Sequence, residues 1–192
     1  VWYTPKAGAI SRLTQRTQAL AELTNNEVRV AVKSIGLNFA DIFAITGLYS
    51  ATPEGSFTPG LEYSGEVIES RSAKFKVGDS VMGVTRFGGY STVINTQADY
   101  LTPLPSGWSH QQGAAYLVQT LTAYYALTEL GNIKPKQTVL IHSAAGGVGL
   151  QAMKLVVALG AKPVGTVSSS KKADYLKSLG FENVMVREPN FK

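Results

Sequence analysis

Val139-Leu140-Ile141-His142-Ser143-Ala144-Ala145-Gly146-Gly147-Val148-Gly149 is the stretch that decides the fold of this chain. Val139–His142 is a short apolar run ended by small residues, which predicts a buried strand. The small residues Ala144–Gly149 predict a tight loop, and Leu150–Leu159 predicts a helix behind it. Ala144, Gly146 and Gly149 stand at the three positions of a G-x-G-x-x-G fingerprint, with alanine in the first. The first position must be small for the turn. Gly146 lets the backbone approach a pyrophosphate, and Gly149 lets helix and strand pack closely. The pyrophosphate would sit on free N–H groups at the positive end of the helix, which assigns Ala145, Gly146, Gly147, Val148 and Gly149 to dinucleotide binding. The competing reading of the same residues is a glycine turn with a purely structural role.

Working outward, Pro163–Val167 predicts a second strand, Lys171–Leu179 a helix and Asn183–Val186 a third strand. This β-α-β-α-β alternation is the half-unit of a doubly wound parallel sheet. A complete domain of that kind uses about six strands, so a longer parent polypeptide and a fragile isolated piece are expected. The start at Val1, without an initiator Met, points the same way. An NAD site wants an acidic residue at the end of the second strand, to accept from the ribose 2′-hydroxyl. Here Ser168-Ser169-Ser170-Lys171-Lys172 follow instead. Nothing in that run repels a 2′-phosphate, while Ser168 and Lys172 could bind one, so the expected cofactor is NADPH. The alternative is that the serines cap the next helix and the lysines are solvated.

Upstream the pattern changes near residue 108. Glu27–Val32, Tyr63–Ile68, Ser80–Val84 and Tyr90–Ile94 alternate in hydrophobicity and are separated by turn formers, which predicts half-buried strands. Asn38–Thr46 reads as a helical insert. Pro103–Gly107 marks a loop, after which Ser109 and Gln112 form the S-x-x-Q version of a capping box. The helix it starts is expected to run to Gly131. The organisation is thus α/β in two parts: a mostly antiparallel β domain over 1–108, and over 109–192 the first half of a dinucleotide-binding Rossmann domain.

Composition bounds the function. The chain has 192 residues, 44% hydrophobic and 16% charged, which suffices for a real core. The net charge of +5 is dispersed, and its longest basic run is Lys171-Lys172. No array of aromatic and basic residues suggests base stacking, so nucleic acid is not an expected partner. Cysteine is absent, which excludes disulfides, thiolate nucleophiles and cysteine-ligated metals. It also fits a reducing cytoplasm. No apolar run is long enough for a membrane span. His110 and His142 have no metal-ligand partner at useful spacing, so zinc catalysis is not expected.

Together with the loop, Gly36-Leu37-Asn38-Phe39-Ala40-Asp41, Pro59-Gly60-Leu61-Glu62-Tyr63-Ser64-Gly65 and Val77-Gly78-Asp79-Ser80-Val81 occur in an order that resembles the medium-chain dehydrogenase/reductases. The resembling branch is that of the zinc-independent quinone oxidoreductases and of the enoyl reductase domains of polyketide and fatty acid synthases. Zinc-binding members carry a cysteine in the segment equivalent to Gly36–Asp41 and Gly-His-Glu where this chain has Gly60-Leu61-Glu62; both are absent. The resemblance implies a GroES-like first domain that handles substrate. It also implies a hydride passed from NADPH to the β-carbon of an electron-poor C=C, with a proton added at the α-carbon.

By the same resemblance, Asn38 would lie near the nicotinamide and the substrate carbonyl, and its alternative role is a helix N-cap. Tyr49 matches a tyrosine tied to protonation in some synthase enoyl reductases, or is a packed aromatic. Thr122 resembles a residue facing the cofactor. Lys172 matches a lysine that contacts the 2′-phosphate in quinone reductases and is a proposed proton donor in synthases; the phosphate role asks only for charge and is preferred. Glu188 falls near an acidic position paired with that lysine. The Glu69–Phe75 turn is a few residues shorter than the family's usual one. The implied substrate is an enoyl group, free or borne by an acyl carrier protein. A free-standing, dimeric quinone or enone reductase and a non-catalytic NADPH-binding protein are the alternatives.

Overall fold

The computed structural model describes residues 1–187 and divides the chain into two compact units, Val1–Val118 and a second from Gln119 onward. Glu188 therefore lies outside the described residues.

The first unit opens with a small hairpin, β1 (Trp2–Tyr3) and β2 (Thr14–Gln15). Its body runs β3 (Glu27–Ile35), α1 (Phe39–Thr46), β4 (Glu62–Ser70), β5 (Ser80–Val84), β6 (Val93–Gln97), β7 (Leu101–Pro103) and α2 (His110–Ala114). These five later strands form one antiparallel sheet in the order β6-β3-β4-β5-β7. Alternation builds its core: Val28 and Val30 of β3, Val67 of β4 and Val81 of β5 point inward and are fully buried. The short turn after β4 is closed by local hydrogen bonds. Ser72 N–H is accepted by Ser70 Oγ, and Lys76 N–H is accepted by the Asp79 carboxylate.

Two expectations need correction here. The strand placed at Tyr90–Ile94 begins only at Val93. Tyr90 is instead held in a loop, its N–H donating to Pro59 O and its carbonyl accepting from Trp2 N–H. The helix expected to run unbroken to Gly131 is interrupted. α2 stops at Ala114, α3 (Leu117–Tyr124) resumes, and Tyr125–Leu130 is a π-helical turn. The Thr128 hydroxyl donates to Tyr124 O at 2.8 Å, occupying an acceptor of the ordinary helical ladder. Gly131 N–H then reaches back five residues to Ala126 O. The capping box before α2 is present, with Ser109 N–H donating to Gln112 Oε1 and Gln112 N–H to Ser109 Oγ. Because α2 packs on β3, β4 and β5, the first unit continues past residue 108, to Val118.

The second unit holds β8 (Thr138–Ile141), α4 (Gly147–Ala158), β9 (Lys162–Val167), α5 (Ser170–Ser178) and β10 (Val184–Val186). Both strand pairs are parallel, in the order β10-β9-β8, so each helix is the crossover of a β-α-β unit. Met153 and Val156 of α4, Leu176 of α5 and Val167 of β9 form the centre of a separate core.

Candidate functional site

β8 delivers the chain to a sharp bend at Ser143, which takes a left-handed backbone with φ +53°. Gly146 then caps α4, which starts at Gly147. The N–H groups of Gly147, Val148 and Gly149 belong to the first helical turn, where no helical acceptor is available. They point the positive end of α4 outward, the arrangement that binds phosphate. A Cβ placed on Gly149 would run into Ser143 O and lie 2.8 Å from Ala144 Cα, so helix and loop touch backbone to backbone. At Gly146 the nearest atom to such a Cβ is Ser143 O, at 3.2 Å, leaving the outer side open to a ligand. Ala144, in the first fingerprint position, is fully buried; a Cβ on Gly165 of β9 would come within 2.8 Å of its methyl.

Beside this helix end is a cleft of about 80 Å³ lined by Ser143, Ala145, Gly146, Val167, Ser168, Lys172 and Arg187. Lys172 Nζ donates to Ser168 Oγ at 3.2 Å, which sets a hydroxyl and an ammonium side by side. Three of its residues, Ser143, Val167 and Arg187, are absent from the sequence-based assignment. Arg187 directly follows β10, and ligands of open α/β sheets bind at the carboxyl ends of strands. That rule was the available signal. The cleft contains two cations, Lys172 and Arg187, and no carboxylate among its lining residues. Its chemistry fits a phosphate on a ribose. Thr122 is exposed on α3 and is not part of the cleft lining.

In the first unit the expected residues fall at the two ends of α1. Asn38 is its N-cap, and Tyr49, half-buried, lies three residues past Thr46, with its N–H donating to Phe43 O. The eight-residue helix separates them by roughly 12 Å at a rise of about 1.5 Å per residue. They are not brought together.

What surrounds Asn38 is a buried acidic cluster. The Asn38 N–H donates to Asp41 Oδ2 at 2.8 Å, and Tyr90 Oη donates to the same oxygen at 3.0 Å. Asn38 Nδ2 donates to Glu62 Oε1 at 2.9 Å, and Val118 N–H donates to Glu62 Oε2 at 3.0 Å. Asp41 and Glu62 are only 2% and 1% exposed, so desolvation raises both carboxyl pKa values. For Glu62 the Asn38 amide and Val118 N–H oppose that rise, and the nearby Asp41 charge adds to it. Burial, then the Asp41 charge, pushes the Tyr90 phenol up as well. Elsewhere in this unit Ser64 Oγ, fully buried, donates to Val81 O at 2.7 Å. His110 Nδ1, 2.9 Å from the same oxygen, must therefore carry the proton and donate.

A pH prediction follows from Glu62. A carboxyl whose folded pKa lies above its ordinary value of 4.5 stabilises the fold fully below that value. The contribution is lost as pH rises through the raised value. The stability of the wild type relative to Glu62→Gln is therefore expected to increase as pH falls from about 8 toward the ordinary carboxyl value. Paired denaturant melts at each pH read this directly, and a gap that stays constant would contradict the burial argument.

Among the described residues no group of three or more His, Asp or Glu side chains could hold a metal ion, and no helix is long and apolar enough to cross a membrane.

Residues 24–106 match the model of the alcohol dehydrogenase GroES-like domain. Quinone oxidoreductase 1 of Escherichia coli is 40% identical over 174 residues, covering 88% of this chain and 52% of that protein. Residues 24–106 are thus a GroES-like domain of the alcohol dehydrogenase type, and the chain as a whole is similar to quinone oxidoreductases and enoyl reductases. Among solved structures, the CurK enoyl reductase superposes on this quinone oxidoreductase-like chain with TM-score 0.89 and 31% identity, over 99% of this chain and 60% of that one. The E. coli quinone oxidoreductase in complex with NADPH gives TM-score 0.82 and 36% identity, over 96% and 57%. The quinone oxidoreductase-like chain thus spans little more than half the length of these relatives.

Proposed function

We propose that this chain is part of an NADPH-dependent oxidoreductase that saturates an activated C=C bond, with an enoyl thioester as the substrate class. The observation that carries the cofactor reading is the Gly146-capped end of α4 beside a cleft holding Ser168, Lys172 and Arg187. The first-turn N–H groups of Gly147, Val148 and Gly149 hold the pyrophosphate, and Ala145 and Gly146 supply the close backbone. Lys172 and Arg187 take the 2′-phosphate as paired cations, with Ser168 as a neutral donor. Thr122 faces the cofactor. When bound, NADPH would supply the hydride for the β-carbon.

At the reacting end Asn38 orients the substrate carbonyl; Tyr49, held at the opposite end of α1, is proposed as the source of the α-carbon proton on the family resemblance alone. The similarity to a complex with NADPH and to an enoyl reductase supports this assignment. So does the apolar surface next to Asn38, where Leu37 and Phe39 are 74% and 79% exposed, a fit for an acyl chain. We assign no metal to the reaction, and we place it in the cytoplasm, with a small molecule or an acyl carrier protein as partner. A quinone or enone as acceptor, in a dimeric free-standing enzyme, is the second reading, favoured by the identity to quinone oxidoreductase 1.

Turnover of a pantetheine-linked enoyl thioester against a small quinone separates the two, and binding of NADPH with no turnover of either would leave a binding protein. Removal of one charge-assisted contact in Lys172→Ala is expected to weaken NADPH about tenfold or more, while NADH binding stays within about twofold. Titrations of both nucleotides check this, and an equal loss for both would remove Lys172 from the 2′-phosphate.

A further inference from the structure

The Asn38 carboxamide has two chemically opposite ends, and only one faces Glu62. That side chain is held at 1% exposure, with Oε2 taken by Val118 N–H and Oε1 receiving Asn38 Nδ2. Because Oε1 receives Nδ2, the end of the amide turned toward Glu62 is the NH2 group. The amide oxygen is then turned away from Glu62, toward the N-terminus of α1 where the Asn38 side chain forms a capping box with Asp41, and its second lone pair is left on a residue that is itself half-exposed. The Asn38 backbone cannot swing to undo this, because its N–H is tied to Asp41 Oδ2 and Asp41 is fixed by Tyr90 Oη. Nor can Glu62 retreat. It occupies the space beside Gly36, where even a methyl group would stand 2.5 Å from its Cγ.

We infer that Glu62 is a positioning residue. It locks the Asn38 carboxamide with its oxygen outward, so that Asn38 meets a bound ligand as a hydrogen-bond acceptor first, with a single remaining N–H beside it. The reading of Asn38 as a site residue, on which this rests, comes from the proposed function. Glu62 reaches the chemistry only through Asn38.

Glu62→Gln tests the idea because it keeps the shape and reverses the polarity. The oxygen of the substituted amide can still accept from Val118 N–H, which leaves the NH2 group of that amide facing Asn38. Asn38 must then turn its own oxygen inward and present its NH2 group outward.

In the wild-type protein at neutral pH, the Asn38 side-chain amide should show one proton shifted downfield by its carboxylate partner. It is assigned by its loss in Asn38→Ala. In Glu62→Gln that shift should vanish while the backbone amide spectrum stays dispersed. A wild-type Asn38 amide with no shifted proton, or one unchanged in Glu62→Gln, overturns the inference. Neither amide arm needs turnover.

Kinetics give the second readout. Glu62→Gln should lower kcat about tenfold, the scale of one misdirected hydrogen bond, and should have no further effect once Asn38 is alanine. An equal loss in both backgrounds overturns the positioning role and leaves Glu62 as packing alone. If Asn38→Ala by itself leaves turnover intact, the assignment of Asn38 to the site falls, while the amide signal still reports the hold of Glu62 on it.

Discussion

Gly149→Ala is expected to raise the NADPH dissociation constant about a hundredfold and to lower the melting temperature of the second unit. The added methyl meets Ser143 O and Ala144 Cα, both backbone atoms of the loop that it must pack against. Neither can rotate away as a side chain would, so α4 must shift off the loop. Overpacking of that kind costs about 1–3 kcal/mol. The larger effect is on binding, because the N–H groups of the first turn move with the helix. Loss of two charge-assisted hydrogen bonds at about 1.5 kcal/mol each, the low end of their range, accounts for the hundredfold. Nucleotide titration and thermal melts of the two proteins measure both terms. A variant that binds normally would mean that the loop yields more than its backbone contacts suggest.

The second large effect is expected at Gly36, in the other unit. A Cβ there collides with Ala114 O and lies 2.5 and 2.6 Å from Glu62 Cγ and Oε1. The carbonyl belongs to the last turn of α2, which packs on the sheet. Relief would demand moving that helix and expelling a buried carboxylate together. Gly36→Ala should therefore destabilise the first unit by about 3 kcal/mol, the upper end for overpacking. For a domain of this size that is a fall of roughly 10–15 °C in melting temperature. Because Glu62 also holds Asn38, any folded fraction should turn over more slowly as well. A melt within a degree or two of wild type would show that α2 can drift at little cost.

These two glycines also mark how far the sequence alone could be read. Gly149 was legible because its reason is local: strand, loop and helix follow one another along a short stretch of chain, and the spacing of small residues reports the turn directly. The strands of the first unit were legible where alternation carried them, as at Val28 and Val30. It misled at Tyr90, whose aromatic side chain fits a strand pattern while its backbone is bonded to Pro59 and Trp2. The break at Ala115 and the π-helical turn were invisible because the residues there are acceptable helix formers. A single threonine hydroxyl altered the ladder, and propensity does not record it.

In the site, Ser168 and Lys172 could be found because both fall in the short run after the second predicted strand, where an acidic residue would mark an NAD site. Arg187 could not be found that way, since it comes to the same cleft from beyond another strand. The pairing of Asn38 with Glu62 spans 24 residues and two elements. Gly36 and Glu62 appeared in the sequence only as family-like motifs. What they do, one leaving room and the other filling it, is a property of the folded unit.

The contact between Ala144 and Gly165 carries a consequence for heredity. The fingerprint normally opens with glycine, and here the extra methyl is accommodated because β9 offers a bare backbone opposite it. Neither position is free to drift by itself. A larger residue at 165 would be tolerated only in a lineage that had first restored glycine at 144. The two positions share one allotment of volume, divided between a loop and the strand beside it.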